Sequence, residues 1–172
     1  MKIADLKTRQ AVPADADGIA QAHRDSIRSI GPRFYPPNVV DDWEEGLTGD
    51  VYRKAMEGGE VFFIATGTID GTNVVLGFAS DYGIEGSKHG TSVYVRAIAA
   101  RQGVGSALFG LAEEHAKASG ASCIEVEASL AGVEFYKANG FIELGPGETH
   151  LMSGRPIACV FMRKDFATTG RS

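Results

Sequence analysis

A β-rich run ends near Ala99, and the chain then turns through Gln102-Gly103-Val104-Gly105-Ser106 straight into an amphipathic helix. Few local patterns restrict a fold as much. Glycine permits a tight turn and leaves no Cβ in front of the backbone N–H groups. The first N–H groups of a helix lack internal partners, and the helix dipole adds positive potential at the same end. A strand–turn–helix unit of this kind has the makings of a phosphate site.

Three phosphate-binding classes use such a turn. A P-loop needs GxxxxGK[ST], and the chain has no Gly-Lys pair. A dinucleotide fold needs GxGxxG; Leu108 stands where the third glycine belongs, although Glu125 and Glu127 follow about 20 residues on, where a ribose-binding acid is expected. The third class is the pyrophosphate loop of acyl-CoA transferases. A bare GxG also suits a helix end that binds nothing.

The flanking pattern predicts an α+β or mixed α/β layout. Strands are expected over Leu6–Val12, Glu60–Thr66, Asn73–Asp81, Thr91–Ile98, Ser122–Ala128, Phe141–Leu144 with Thr149–Met152, and Ile157–Phe166. Asp70-Gly71 is a hairpin signal. A helix follows Pro13-Ala14-Asp15-Ala16-Asp17 and stops at Gly31-Pro32. One or two short helices are expected over 33–58. The main helix, Gly103–Ser119, carries a stripe of Val104, Ala107, Leu108, Leu111, Ala112 and His115, and Gly120 closes it. A shorter helix over Leu130–Asn139 ends at Asn139-Gly140, and the tail Ala167–Ser172 is expected to fray.

With 172 residues, 44% hydrophobic and 23% charged, the chain suits one globular domain, 1–172. A net charge of −5 argues against nucleic-acid binding. Asp41, Asp42, Glu44, Glu45 and Asp50 form an acidic stretch. As a charge run it reads as a solvated face; the sharper alternative is a wall that attracts a cationic amine. Cys123 and Cys159 lie in apolar strands and read as buried, reduced thiols. No His/Cys spacing fits a zinc site, and no G-x-S-x-G elbow appears. No apolar run is long enough for a membrane span, and Met1-Lys2-Ile3-Ala4-Asp5 lacks a signal-peptide core, so the expected compartment is the cytoplasm.

The stretch Tyr94-Val95-Arg96-Ala97-Ile98-Ala99-Ala100-Arg101-Gln102-Gly103-Val104-Gly105-Ser106-Ala107-Leu108 resembles the acetyl-CoA motif of the GNAT superfamily of N-acetyltransferases. Glu127 through Phe141, with Phe135-Tyr136 and Gly140-Phe141, resembles the family's second motif. The strand Ile157–Lys164 resembles its closing strand. Ala97 replaces the family's proline, Ala100 its usual Arg or Gln, and Ser129 a common Asn.

The resemblance implies the acyl-CoA N-acyltransferase fold, a mostly antiparallel mixed sheet flanked by helices. It implies acetyl-CoA as co-substrate, its pantetheine paired with the backbone at Val93 and Val95. The pyrophosphate then lies on the N–H groups of Gln102, Gly103, Val104, Gly105 and Ser106, with Arg101 and Ser129 nearby. Tyr136 matches the tyrosine that protonates the leaving thiolate in many relatives. Glu127 is the first candidate for a general base, followed by Glu85, His89 and His150; His23 and His115 read as packing residues. The acceptor is an amine of a small molecule or peptide, selected largely by residues 24–58 and the loop Tyr82–Gly90. Relatives often pair, so a homodimer is expected. The competing readings are a catalytically silent GNAT-like module that binds acyl-CoA, and a dinucleotide-binding oxidoreductase.

Overall fold

The computed structural model describes residues 2–167. Its elements are β1 (Ala4–Gln10), α1 (Ala16–Ile30), α2 (Pro37–Glu45), α3 (Gly49–Glu57), β2 (Val61–Ile69), β3 (Thr72–Glu85), β4 (Lys88–Gly90), β5 (Val93–Val95), α4 (Val104–Ala118), β6 (Cys123–Ser129), α5 (Val133–Ala138), β7 (Ile142–His150) and β8 (Pro156–Asp165). Most of the tail expected to fray, from residue 168 on, lies outside the described residues.

Asp70 and Gly71 both take positive φ, at 50° and 80°, in a two-residue turn that sets Ile69 opposite Thr72. This is the geometry that matches the right-handed twist of a hairpin. The eight-stranded sheet runs β1-β2-β3-β4-β6-β8-β7, and β5 pairs with β3 beside that path. Every pairing is antiparallel except β4 with β6. The mostly antiparallel mixed sheet flanked by helices is therefore present.

Alternation along the strands divides the core between two faces. Phe62, Ile64 and Phe78 meet Ile19 and Ala22 of α1 and Tyr52 of α3. Ala65, Leu76 and Ala79 meet Val104, Leu108 and Ala112 of α4. Helix α4 also reaches β6 and β8: Phe109 and Ala116 pack with Ile124, Val126 and Met162. Its buried face is thus broader than the sequence stripe, and Ala107 at the stripe's edge is exposed.

Several boundaries differ from expectation. The strand expected over Thr91–Ile98 is only Val93–Val95, followed by a single 3₁₀ turn at Ala97–Ala99. The two pieces expected around Leu144 and Thr149 are one strand, β7, running through Gly145-Pro146-Gly147. Proline is tolerated there because β7 is an edge strand paired only with β8. Gly147 is required by packing: a Cβ on it would overlap the Phe161 ring. Helix α5 starts three residues late, because Gly132 N–H bonds Ser129 O in a turn and Leu130 N–H is held by the Tyr35 hydroxyl at 2.9 Å. Both cysteines are free and buried, as the sequence predicted.

Candidate active site

β4 and β5 keep one register against β3, with Tyr82 opposite Gly90 and Ala79 opposite Val93. Only β4 also pairs with β6, and that ladder ends at Gly90 opposite Glu125. Beyond it β5 and Val126–Ser129 of β6 diverge, leaving a gap in the middle of the sheet. At the break, Thr91 Oγ1 donates to Ser80 O at 2.5 Å and Ser92 N–H donates to Ser80 Oγ at 3.2 Å. Along β5, Ser80 N–H bonds Ser92 O and Arg96 N–H bonds Leu76 O. By alternation, the main-chain groups of Val93 and Val95 point away from β3, into the gap.

Two cavities meet at this gap. The smaller, about 340 Å³, is lined by β5, the segment Ala99–Ser106, β6 and α5, and by Ile27 and Ile30 of α1. The larger, about 820 Å³, is lined by Trp43, Leu47, Tyr82, Ile84, β6, β7 and β8. Both are lined by Trp43, Thr91, Ser92, Tyr94, Val126, Glu127 and Ser129. These residues form the common wall.

The smaller cavity receives the start of α4. Gly103 is the N-cap residue, at φ +79°, and no side chain caps the helix. The first helical bond is Ala107 N–H to Gly103 O, so the N–H groups of Val104, Gly105 and Ser106 have no partner within the helix. Arg101 also has positive φ, 61°, which is uncommon for a side-chain-bearing residue. The two glycines serve different ends. Gly103 supplies the left-handed turn, whereas a Cβ on Gly105 would come within 3.0 Å of the Phe135 ring. Gln102 turns its amide back to Ile98 O at 2.9 Å, and Ser106 Oγ accepts from Asn139 Nδ2 at 3.2 Å.

Tyr136 lies at the floor of the same cavity, 7% exposed, with Phe141 edge-on at 5.0 Å. Burial pushes its phenol up most, Tyr94 and Tyr82 push the same way, and only the Val93 backbone opposes them. It holds its proton at neutral pH. Behind the common wall, His23 stacks on Tyr94 with centroids 3.9 Å apart and bonds the Tyr52 hydroxyl at 2.6 Å. Burial lowers its pKa to about 3.

Glu127 is exposed on the common wall and accepts from Thr149 Oγ1 at 2.5 Å. Glu125 beside it lies 3.2 Å from both Lys88 and Arg163. His150 lines the larger cavity. His89 is turned elsewhere: its Nδ1 bonds Asp81 at 2.6 Å, and His115 bonds the other Asp81 oxygen at 2.7 Å. Glu85 sits exposed at the end of β3 and lines neither cavity.

The family model described as an acetyltransferase (GNAT) domain matches residues 33–165. The chain belongs to the GNAT acetyltransferase family. Comparison with curated proteins gives no match. Among solved structures, a GCN5-related N-acetyltransferase from Rhodopseudomonas palustris is 25% identical with a TM-score of 0.77, covering 96% of this chain and 99% of that one. A PaiA N-acetyltransferase from Thermoplasma acidophilum, determined with coenzyme A, is 18% identical with a TM-score of 0.69, covering 94% and 99%. The YncA structure from Salmonella typhimurium, determined with acetyl-CoA, is 17% identical with a TM-score of 0.68, covering 96% of each.

Within this GNAT domain, Val93, Val95, Arg101, Gly103, Gly105, Ser106, Ser129, Tyr136 and Glu127 all line the smaller cavity. Gln102 and Val104 do not; the Val104 side chain is buried against the sheet. The acidic stretch 41–50 is no cavity wall. Asp41 and Glu44 pair with Arg28, Asp42 with Arg155 and Asp50 with Arg53. From that stretch the cavity receives Trp43 and Leu47 instead. Of the β7–β8 lining, Leu144 to Phe161, sequence reasoning gave a site role only to His150 and read Ile157–Lys164 only as the closing strand; Leu144 to Thr149 carry no motif. Ala97, where the GNAT motif has proline, uses its N–H: it donates to Asp25 Oδ1 at 3.0 Å, tying β5 to α1.

Proposed function

We propose that this protein is an acetyl-CoA-dependent N-acetyltransferase of one domain that moves an acetyl group directly to a primary amine of a small molecule or peptide. The observation that carries the reading is the meeting of two cavities at Glu127, Ser129, Thr91 and Ser92, one of them also lined by an uncapped helix start. Relatives of the same fold were determined with coenzyme A and acetyl-CoA, which supports the assignment of that cavity.

The residues fit the nucleotide. The N–H groups from Gln102 to Ser106 would hold the pyrophosphate, with the helix dipole adding to them. The main chain of Val93 and Val95 would pair with the pantetheine amides. Acetyl-CoA, when bound, supplies an acetyl thioester with a good leaving group. A β5 N–H facing the gap opposes charge growing on a carbonyl oxygen, an effect of roughly 3–4 kcal/mol in other acyl transfers. Tyr136 Oη holds a proton ready for the departing sulfur. Glu127 takes up, through water, the proton that an ammonium must lose before its nitrogen can attack.

Thermal shift with acetyl-CoA, CoA and NAD, followed by thiol release across an amine panel, tests the proposal. Stabilisation by the two CoA species alone, with amine-dependent thiol release, is expected. Stabilisation without release on any amine would instead make the chain a silent acyl-CoA-binding module. A homodimer accompanies this reading; sedimentation of a monomer at micromolar concentration would reject it.

A further inference from the structure

The charge balance of the larger cavity is one-sided. Among the described residues no lysine or arginine lines it, and its acids are Glu125 and Glu127. Glu125 is answered by Lys88 and Arg163. Glu127 accepts a hydroxyl from Thr149, and among the described residues no cation stands within ion-pair distance of it. One carboxylate therefore faces the cavity uncompensated. In the stretch 41–50, Asp41 and Glu44 are taken up by Arg28, Asp42 by Arg155 and Asp50 by Arg53, and none of the stretch's acids, exposed Glu45 included, lines the cavity.

The walls are apolar and aromatic. Trp43, Tyr82, Tyr94 and Phe161 offer ring surface. Burial, with Glu60 and Glu127 adding to it, pushes the Tyr82 phenol up to about 12, so Tyr82 adds no negative charge to this wall. Leu144 and Met152, 52% and 66% exposed, stand on the same lining. Large apolar side chains left in water around a concavity mark a place where an apolar ligand lies. Aromatic faces beside a lone carboxylate recognise an ammonium group.

We propose that the acceptor is a primary monoamine on an apolar, aryl-sized body that carries neither carboxylate nor phosphate. This rests on the transferase reading and narrows it. Glu127 holds the single ammonium, the rings hold the body, and an anionic group would face Glu127 with no counter-charge. A polyamine would bring second and third cations to a cavity that offers one free acid.

Calorimetry at pH 8 tests this on the full chain with and without saturating CoA. The probes are 2-phenylethylamine, L-phenylalanine and spermidine. The expected result is tightest binding of 2-phenylethylamine, with the other two weaker by at least about tenfold. Glu127→Gln keeps the acceptor oxygen for Thr149 and is expected to weaken 2-phenylethylamine about tenfold while leaving L-phenylalanine little changed. Leu144→Lys, at an exposed edge-strand position, places a cation in the lining and is expected to weaken the amine similarly. Equal or tighter binding of L-phenylalanine or spermidine, or no effect of Glu127→Gln, overturns the proposal. Failure of CoA to bind would strike the transferase reading separately, and the arms without CoA still judge the cavity.

Discussion

The two cavities that meet at β5 and β6 are built from different parts of the polypeptide. The smaller one presents main chain: the free N–H groups at the start of α4 and the unpaired edge of β5. Most of it comes from Thr91–Ser106 and Val126–Tyr136. The larger one presents side chains gathered from Trp43 to Met162, and among the described residues its single unanswered charge is Glu127. A ligand common to a whole family can be held by backbone, which every sequence has, once a few glycines shape the turn. A ligand particular to one member must be read by side chains, and those are free to vary.

The sharpest way to break this contrast is Tyr136→Phe, which removes one hydroxyl from the floor of the smaller cavity. Turnover should fall about 100-fold or more, as for loss of a general acid, with acetyl-CoA affinity kept. Unchanged turnover would return Tyr136 to a packing role. The wall between the cavities offers a second probe through pH. His23 binds a proton at about 3 when folded against 6.5 ordinarily, so between those values the unfolded chain takes up more protons. Its contribution is complete above pH 6.5 and is lost as pH falls, at up to roughly 1.4 kcal/mol per unit. Urea titrations from pH 7 to 4 should show that slope, and His23→Gln should flatten it.

Gly103→Val tests the backbone half. A β-branched residue at φ +79° costs roughly 1–2 kcal/mol, so acetyl-CoA should bind about tenfold more weakly, while amine binding to the free enzyme stays constant. Arg101→Ala should do least. If backbone holds the pyrophosphate, losing this exposed side chain should weaken acetyl-CoA by no more than about fivefold. A loss larger than that of Gly103→Val would reverse the order of main chain and side chain in this cavity.

Much of the fold was legible because it rests on local chemistry. Asp70-Gly71 dictated the β2–β3 hairpin, and Gly103 with Gly120 bounded α4. The misses arise where a partner strand or a distant ring decides. Nothing in Gly145-Pro146-Gly147 reads as strand until β8 lies beside it and Phe161 crosses Gly147. The charges of residues 41–50 read as a solvated face, with a wall for an amine as the alternative, and only folding brought Arg28, Arg53 and Arg155 to Asp41, Asp42, Glu44 and Asp50.

By itself the sequence determined the turn that bares one helix start, since positive φ and free N–H groups are properties of a few consecutive residues. Tertiary structure alone decided that the chain leaves β6 after Gly90, that a second cavity opens there, and that among the described residues no cation pairs with Glu127 in it. Pairing, burial and charge compensation depend on residues far apart in the chain, and no local pattern encodes which of them will meet.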